Sequence, residues 1–165
     1  MLENQAKIVF LGIGSNLGSR KKNIEKAKFY LDQNDLHFIS TSNYYETPSW
    51  PNPKNPKFLN IVLKISTKLK PIELIKKCKQ IEIKIGRKKN KVNSPRECDI
   101  DLIDFNKICT KEEIILPHPR MHLRNFVLLP LFEIDKSWKH PESNINIVNL
   151  INSLPVKDLR SIKQI

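Results

Sequence analysis

Residues 95–105 read PRECDIDLIDF. A strand places residues i and i+2 on one face, roughly 7 Å apart at the backbone. Over 98–105, Asp99 and Asp101 therefore share a face, while Ile100 and Leu102 point the other way, into a core. Two adjacent carboxylates repel each other and stabilise nothing alone, so a cation is expected between them. Asp104 falls in the core-side register and reads as the start of a DFNK turn, not as a ligand.

The chain upstream of this strand alternates between two periods. RKKNKVNS (87–94) is a basic loop without apolar anchors. Before it, Pro71 opens a helix whose apolar stripe is Leu74, Ile75, Cys78, Ile81 and Ile85, and Gly86 stops it. FLNIVLKIS (58–66) alternates Leu59, Ile61, Leu63 and Ile65 against Asn60, Val62, Lys64 and Ser66, which is a half-buried strand. PSWPNPKNP (48–56) holds four prolines and reads as a stiff loop of functional length. HFISTSNYYET (37–47) reads as one strand, NIEKAKFYLDQ (23–33) as a helix and KIVFLGI (7–13) as a buried strand. GIGSNLG (12–18) is neither a Walker A loop nor GxGxxG, and reads as a tight strand-to-helix turn.

Downstream, FVLLPLFEID (126–135) reads as a packed helix, with a further short helix near 146–153. The order is βαββαβ with C-terminal helical additions. It predicts a ferredoxin-like α+β fold: an antiparallel sheet with helices on one face, the acid-bearing strand near its centre, and the other face open to ligands. One domain over 1–165 is expected.

Composition agrees with a globular enzyme or binding module: 39% of residues are hydrophobic and 28% charged. The net charge of +12 attracts nucleic acid, acidic membranes or polyphosphates, and does not choose among them. Three cysteines at wide spacings, without a CxxC pair, point to reduced thiols. The N-terminal stretch lacks the pattern of a signal peptide, and no apolar run approaches a membrane span. A cytoplasmic location is expected.

Three sets of residues carry chemistry. Asp99 and Asp101, close to Arg96 and the basic loop, suit Mg²⁺ with phosphates, and such a pair can share two ions about 4 Å apart. Phe58 and Asn60 share a strand face and, with Phe126, can grip a flat heterocycle by stacking and hydrogen bonds. His118, held between two prolines, serves either structure or donation to a phosphate, with Arg124 close by in sequence.

FLGIGSNLGSR, YYETPSW followed by FLN, PRECDID and LPHPRMHLRNFVLLPLFEI together resemble one family in order and over nearly the whole chain: 6-hydroxymethyl-7,8-dihydropterin pyrophosphokinase. The resemblance implies pyrophosphate transfer from MgATP to the pterin hydroxymethyl group, giving the pterin diphosphate and AMP. It implies that Asp99 and Asp101 hold two Mg²⁺, with Arg96 and Arg87 also catalytic. The pterin would lie between Phe58 and Phe126, read by Asn60 and by backbone near Thr47 and Pro48. Glu82, Arg87, Arg96, His118 and Arg124 match nucleotide positions, and Lys89 can add positive charge there. The partners implied are these two small molecules, with no nucleic acid or membrane, and a monomer. Val92, Asn93 and Ser94 depart from the family pattern, which has a basic residue, an aromatic and Gly or Ala there. That departure bears on closure of the basic loop. RNA-recognition domains share the βαββαβ order, but their aromatic sheet motif is absent.

Overall fold

The computed structural model describes residues 5–33 and 36–165. Of the N-terminal stretch read above for a signal peptide, residues 1–4 lie outside them.

Strand β1 (Lys7–Ser15) runs between β4 (Phe58–Thr67) and β5 (Asp99–Phe105), antiparallel to both. It can do so because both its faces are non-polar. Val9, Leu11 and Ile13 are buried on one side; Phe10, Gly12 and Gly14 lie on the other. Helices α1 (Arg20–Asp32) and α2 (Pro71–Ile85) cover the first side. Their Ile24, Ala27, Leu31, Leu74, Cys78 and Ile81 meet Leu59, Ile61, Leu63 and Ile65 of β4 in one core. Gly86 ends α2 at φ +127°, a conformation open to glycine at little cost. The βαββαβ core, all antiparallel, is the one expected.

Four details differ from expectation. The 37–47 segment is two strands, β2 (His37–Thr41) and β3 (Tyr45–Thr47), which share the far edge of β4. Between them Ser42 takes over the ladder: its N–H donates to the Val62 carbonyl, and its Oγ accepts the Val62 N–H at 2.9 Å. The acid-bearing β5 is an end strand, not a central one. Its exposed edge is satisfied by a side chain, since the Ile100 N–H donates to Glu82 Oε1 at 2.7 Å. The register of β1 against β5 also slips between Phe10 and Leu11. This bulge turns Asp104 away from the α1–α2 core, and Trp138 Nε1 donates to it at 2.8 Å. Asp104 still opens the DFNK turn, accepting the Lys107 N–H.

The fourth detail is the open face, which is open over only part of its area. Helix α3 (Asn125–Ile134) packs Val127, Leu128 and Leu131 against Phe10, Val62 and Ile103. Trp138 and helix α4 (Ile147–Asn152) complete this second core. Two elements without a sequence signal follow: helix α5 (Val156–Ser161) and strand β8 (Lys163–Gln164), which pairs with β3. Two-residue strands β6 (Thr110–Lys111) and β7 (Ile115–Leu116) form a hairpin after β5. The uncovered part of the face lies over the C-terminal end of β1 and the start of β4 and β5.

Candidate active site

The strand register builds the floor of the site. Asp99 lies opposite Gly14, and Gly14 lies opposite Asn60 on β4. Asp101 lies opposite Gly12. A carboxylate and a carboxamide thus stand on one transverse row, two strand spacings or about 10 Å apart, with no side chain between them. A Cβ on Gly14 would sit 2.6 Å from Asn60 Oδ1 and 3.4 Å from Phe58 Cδ1, so only glycine leaves this cradle empty.

Above the floor is a cavity of about 390 Å³, whose walls include Thr47, Pro48, Phe58, Asn60, Arg96, Asp99, Asp101, Arg124 and Phe126. Nine of the residues singled out in the sequence therefore converge. Thr47 is held by the Asn60 amide, whose Nδ2 donates to Thr47 Oγ1 at 3.4 Å. The hairpin-like run β3–loop–β4 brings the proline-rich loop and Phe58 to the same end.

The acids are already paired. Asp99 accepts from Arg87 at 2.6 Å and from Arg96 at 2.7 Å, one guanidinium to each oxygen. Burial works to raise its pKa, but Arg96 and Arg87 outweigh it and hold the carboxyl below the ordinary value. Asp101 accepts from Arg124 at 3.3 Å and faces His118 Nε2 at 4.0 Å. The Arg120 N–H donates to His118 Nδ1, which leaves the imidazole proton on Nε2. Burial pushes the His118 pKa down against the pull of Asp101, favouring the neutral ring. The same arginines reach the aromatic side: Arg96 lies 5.1 Å from the centre of the Phe58 ring, and Arg124 lies 5.4 Å from that of Phe126.

Four candidates do not line the cavity. Glu82 is buried at 1% exposure, bound to the Ile100 N–H, Lys79 and Arg87. It holds Arg87 toward Asp99 and turns no oxygen into the cleft. Arg87 and His118 stand one contact behind, through Asp99 and Asp101. Lys89 is exposed on the basic loop, from which Asn93 reaches the cavity.

Other residues of the site escaped the sequence reading. Asn16 is buried, and its Nδ2 donates to Ser49 Oγ and to the Pro56 carbonyl. Its Oδ1 accepts the Arg96 N–H at 2.8 Å, and its own N–H donates to the Arg96 carbonyl. One side chain therefore ties the proline-rich loop to an arginine on Asp99. Gly12 and Gly14 were legible as an i, i+2 pair, the same period as the acids they face. Trp50, Arg120, Leu123, Asn125 and Asp158 also line the cavity.

The donor set suits a magnesium–polyphosphate complex. Among the described residues no three His, Cys, Asp or Glu side chains converge. A dedicated protein cage is thus not built, and Mg²⁺ commonly binds through one or two carboxylates plus phosphates and water. The side-chain-free strip beside both acids leaves room for such a group.

A sequence profile of the 7,8-dihydro-6-hydroxymethylpterin-pyrophosphokinase (HPPK) family matches residues 10–136. The chain is 38% identical over 134 residues to the 2-amino-4-hydroxy-6-hydroxymethyldihydropteridine pyrophosphokinase of Aquifex aeolicus, covering 81% of this chain and 83% of that one. It is 39% identical over 149 residues to the folic acid synthesis protein FOL1 of Dictyostelium discoideum, covering 90% of this chain. It spans only 22% of the length of that relative. Its fold resembles a crystal structure of Plasmodium falciparum HPPK-DHPS, with TM-score 0.77 at 16% identity, over 99% of this chain and 48% of that one.

Proposed function

This chain belongs to the 7,8-dihydro-6-hydroxymethylpterin-pyrophosphokinase family, and on that footing we propose that it transfers pyrophosphate from MgATP to 6-hydroxymethyl-7,8-dihydropterin in folate synthesis. The pterin hydroxymethyl oxygen attacks the β-phosphorus, and the bond from that phosphorus to the bridging oxygen breaks. AMP leaves with the bridging oxygen, the hydroxyl proton is released, and the diphosphate stays on the pterin.

The supporting observation is the shared row Asp99–Gly14–Asn60, which brings a carboxylate and a carboxamide into one cavity. Phe58 and Phe126 hold the pterin ring. Asn60, with backbone at Thr47 and Pro48, reads its edge. Asp99 and Asp101 would hold two Mg²⁺, which, when bound, screen the phosphates and polarise the attacking hydroxyl. Arg96, Arg87 and Arg124 then turn from the acids to phosphate oxygens, and His118 donates its Nε2 proton to another. Lys89 adds long-range attraction from the basic loop, and Glu82 acts by positioning Arg87. Catalysis rests on alignment and charge neutralisation.

The working unit is proposed to be a monomer. Cys78, Cys98 and Cys109 are free thiols, which supports a reducing, cytoplasmic setting. Among the described residues no helix is long and apolar enough to cross a membrane.

The direct test is AMP release from MgATP with and without the pterin, beside an Asp99→Ala control. Pterin-dependent AMP that vanishes in the control is expected. Binding of MgATP without AMP release contradicts the proposal and marks a non-catalytic relative. Tight binding of RNA that needs no Mg²⁺ and weakens steeply with salt favours a nucleic-acid module instead.

A further inference from the structure

Tyr44 and Tyr45 are neighbours in the chain and reach opposite faces of the sheet. Each phenol donates to a carboxylate. Tyr44 donates to Glu25 of α1, and Tyr45 donates to Glu133 Oε2 of α3 at 2.7 Å. Glu133 gathers more than this one bond. Its Oε1 accepts the Asn43 N–H at 3.0 Å and Asn43 Nδ2 at 2.7 Å. Both carboxylate oxygens are thus used, and all three donors are neutral groups of the run 43–45. Hydrogen bonds to an ionised acceptor are stronger than neutral ones. Tyr45 is 7% exposed, so its hydroxyl has little water to turn to if the carboxylate is removed. Burial, and then the Glu133 carboxylate, push the Tyr45 phenol pKa up, so the hydroxyl stays a donor.

The two elements joined here differ in how firmly they are seated. Helix α3 is fixed by Val127, Leu128 and Leu131 in the second core. Strand β3 is three residues long, paired to β4 and, over Tyr45 and Glu46, to the two-residue β8. So short a ladder holds its own position weakly. The Glu133 clasp therefore carries the position of a packed helix into a weak strand. Each element also reaches the cavity at its far end. Thr47 lies two residues beyond Tyr45 on β3, and Phe126 lies two helical turns, about 10 Å, before Glu133 on α3. Both Thr47 and Phe126 line the cavity, and Glu133 does not. The acid wall takes no side chain from β3: Asp99 and Asp101 are on β5.

We infer that Glu133 is a positioning residue, which clamps Asn43 and Tyr45 to α3 and so fixes the spacing of Thr47 and Phe126 across the cleft without touching substrate. The inference rests on the function proposed above. It assigns the effect to pterin binding and not to the nucleotide, because the clasp reaches the cavity through β3 and not through the strand that carries the acids.

Steady-state kinetics of the full chain test it, with both substrates varied and urea unfolding run beside each variant. Glu133→Ala is expected to raise the pterin KM about tenfold, and Tyr45→Phe, which removes one hydroxyl and keeps the ring, about threefold. Glu133→Gln keeps one acceptor oxygen and restores part of the loss. In all three variants kcat and the MgATP KM stay within about twofold of wild type. Calorimetric titration of 6-hydroxymethyl-7,8-dihydropterin, with Mg²⁺ and a non-transferable ATP analogue present, shows the same ranking in affinity. Leu74→Val is the control for lost stability alone, since it lies in the first core, which includes neither Tyr45 nor Thr47. It lowers the urea midpoint and leaves both KM values unchanged. If wild type turns over while Glu133→Ala and Tyr45→Phe lose stability and keep the pterin KM, Glu133 is merely structural, and the inference is overturned while the proposed function stands. Equal rises in the pterin and MgATP KM values also overturn it, as does a Leu74→Val shift in pterin KM that matches that of Tyr45→Phe. If wild type releases no pterin-dependent AMP, the proposed function itself has failed, and the inference with it.

Discussion

The two walls of the cleft differ in how complete they are without ligand. On the acid wall both carboxylates are already paired: Asp99 is held by Arg87 and Arg96, and Asp101 by Arg124. On the heterocycle wall the polar group is a neutral amide, the floor is glycine, and the rim is exposed apolar surface. On the proposed function, both acids stay paired to arginines until a metal–polyphosphate redistributes those arginines. The heterocycle wall is a preformed slot. Arg96 and Arg124 touch both, since each pairs with an acid and lies near a phenyl ring.

Substitutions separate the walls. The largest effect is expected from Asp99→Ala or Asp101→Ala, with turnover down about a thousandfold. Circular dichroism should show the fold intact, and near-normal turnover in either variant would remove the acid wall from the chemistry. Next is Phe126→Ala, which should raise the pterin KM by roughly 10–100-fold, or about 1.5–3 kcal/mol of buried aromatic contact. Its MgATP KM should move by less than about threefold; equal losses would mean that the slot is not a separate wall.

Gly14→Ala drives a methyl group into the Asn60 carboxamide. A stability loss of about 1–3 kcal/mol in urea unfolding is expected, together with weaker pterin binding. Asn16→Ala removes the tie between the proline-rich loop and Arg96. It is the variant expected to raise both KM values, each by roughly threefold to tenfold, at about 1–2 kcal/mol of stability for the buried hydrogen bonds lost. A change confined to one substrate would deny it the coupling role.

The smallest effect is in acid stability. Asp99 has its pKa lowered in the folded chain from an ordinary 3.8, with burial opposed and outweighed by Arg96 and Arg87. A depressed carboxyl contributes stability above its unfolded value and loses it as pH falls through the folded one. Wild type should therefore lose more stability than Asp99→Asn as the pH falls below the ordinary carboxyl value of 3.8, read from urea midpoints. Parallel curves would mean that the arginine cage contributes nothing to folding.

The acid pair was legible because a strand has period two and Asp99 and Asp101 obey it. Beyond Leu102 the pattern fails, because a bulge has no signature in alternation, and Asp104 was placed on the wrong side. The edge position of β5 was hidden for a related reason. A run apolar enough to look central owes its satisfied edge to Glu82, an acid whose helix position gives no hint that it is buried. Asn16 looked like turn chemistry, and only the fold brings Ser49, Pro56 and Arg96 to it. Helix α5 and strand β8 are too short to show a period, and tertiary contacts such as the Asn125 Nδ2 bond to the Asp158 carbonyl hold that segment in place.

The most direct test of the two-wall account is a crossed titration by calorimetry. It measures 6-hydroxymethyl-7,8-dihydropterin and Mg²⁺ with a non-transferable ATP analogue, each against wild type, Asp99→Ala and Phe126→Ala. The account predicts that Asp99→Ala loses the nucleotide and keeps the pterin within about threefold, and that Phe126→Ala does the reverse. If Asp99→Ala loses both ligands equally while remaining folded, the cleft is one undivided site and the account is wrong.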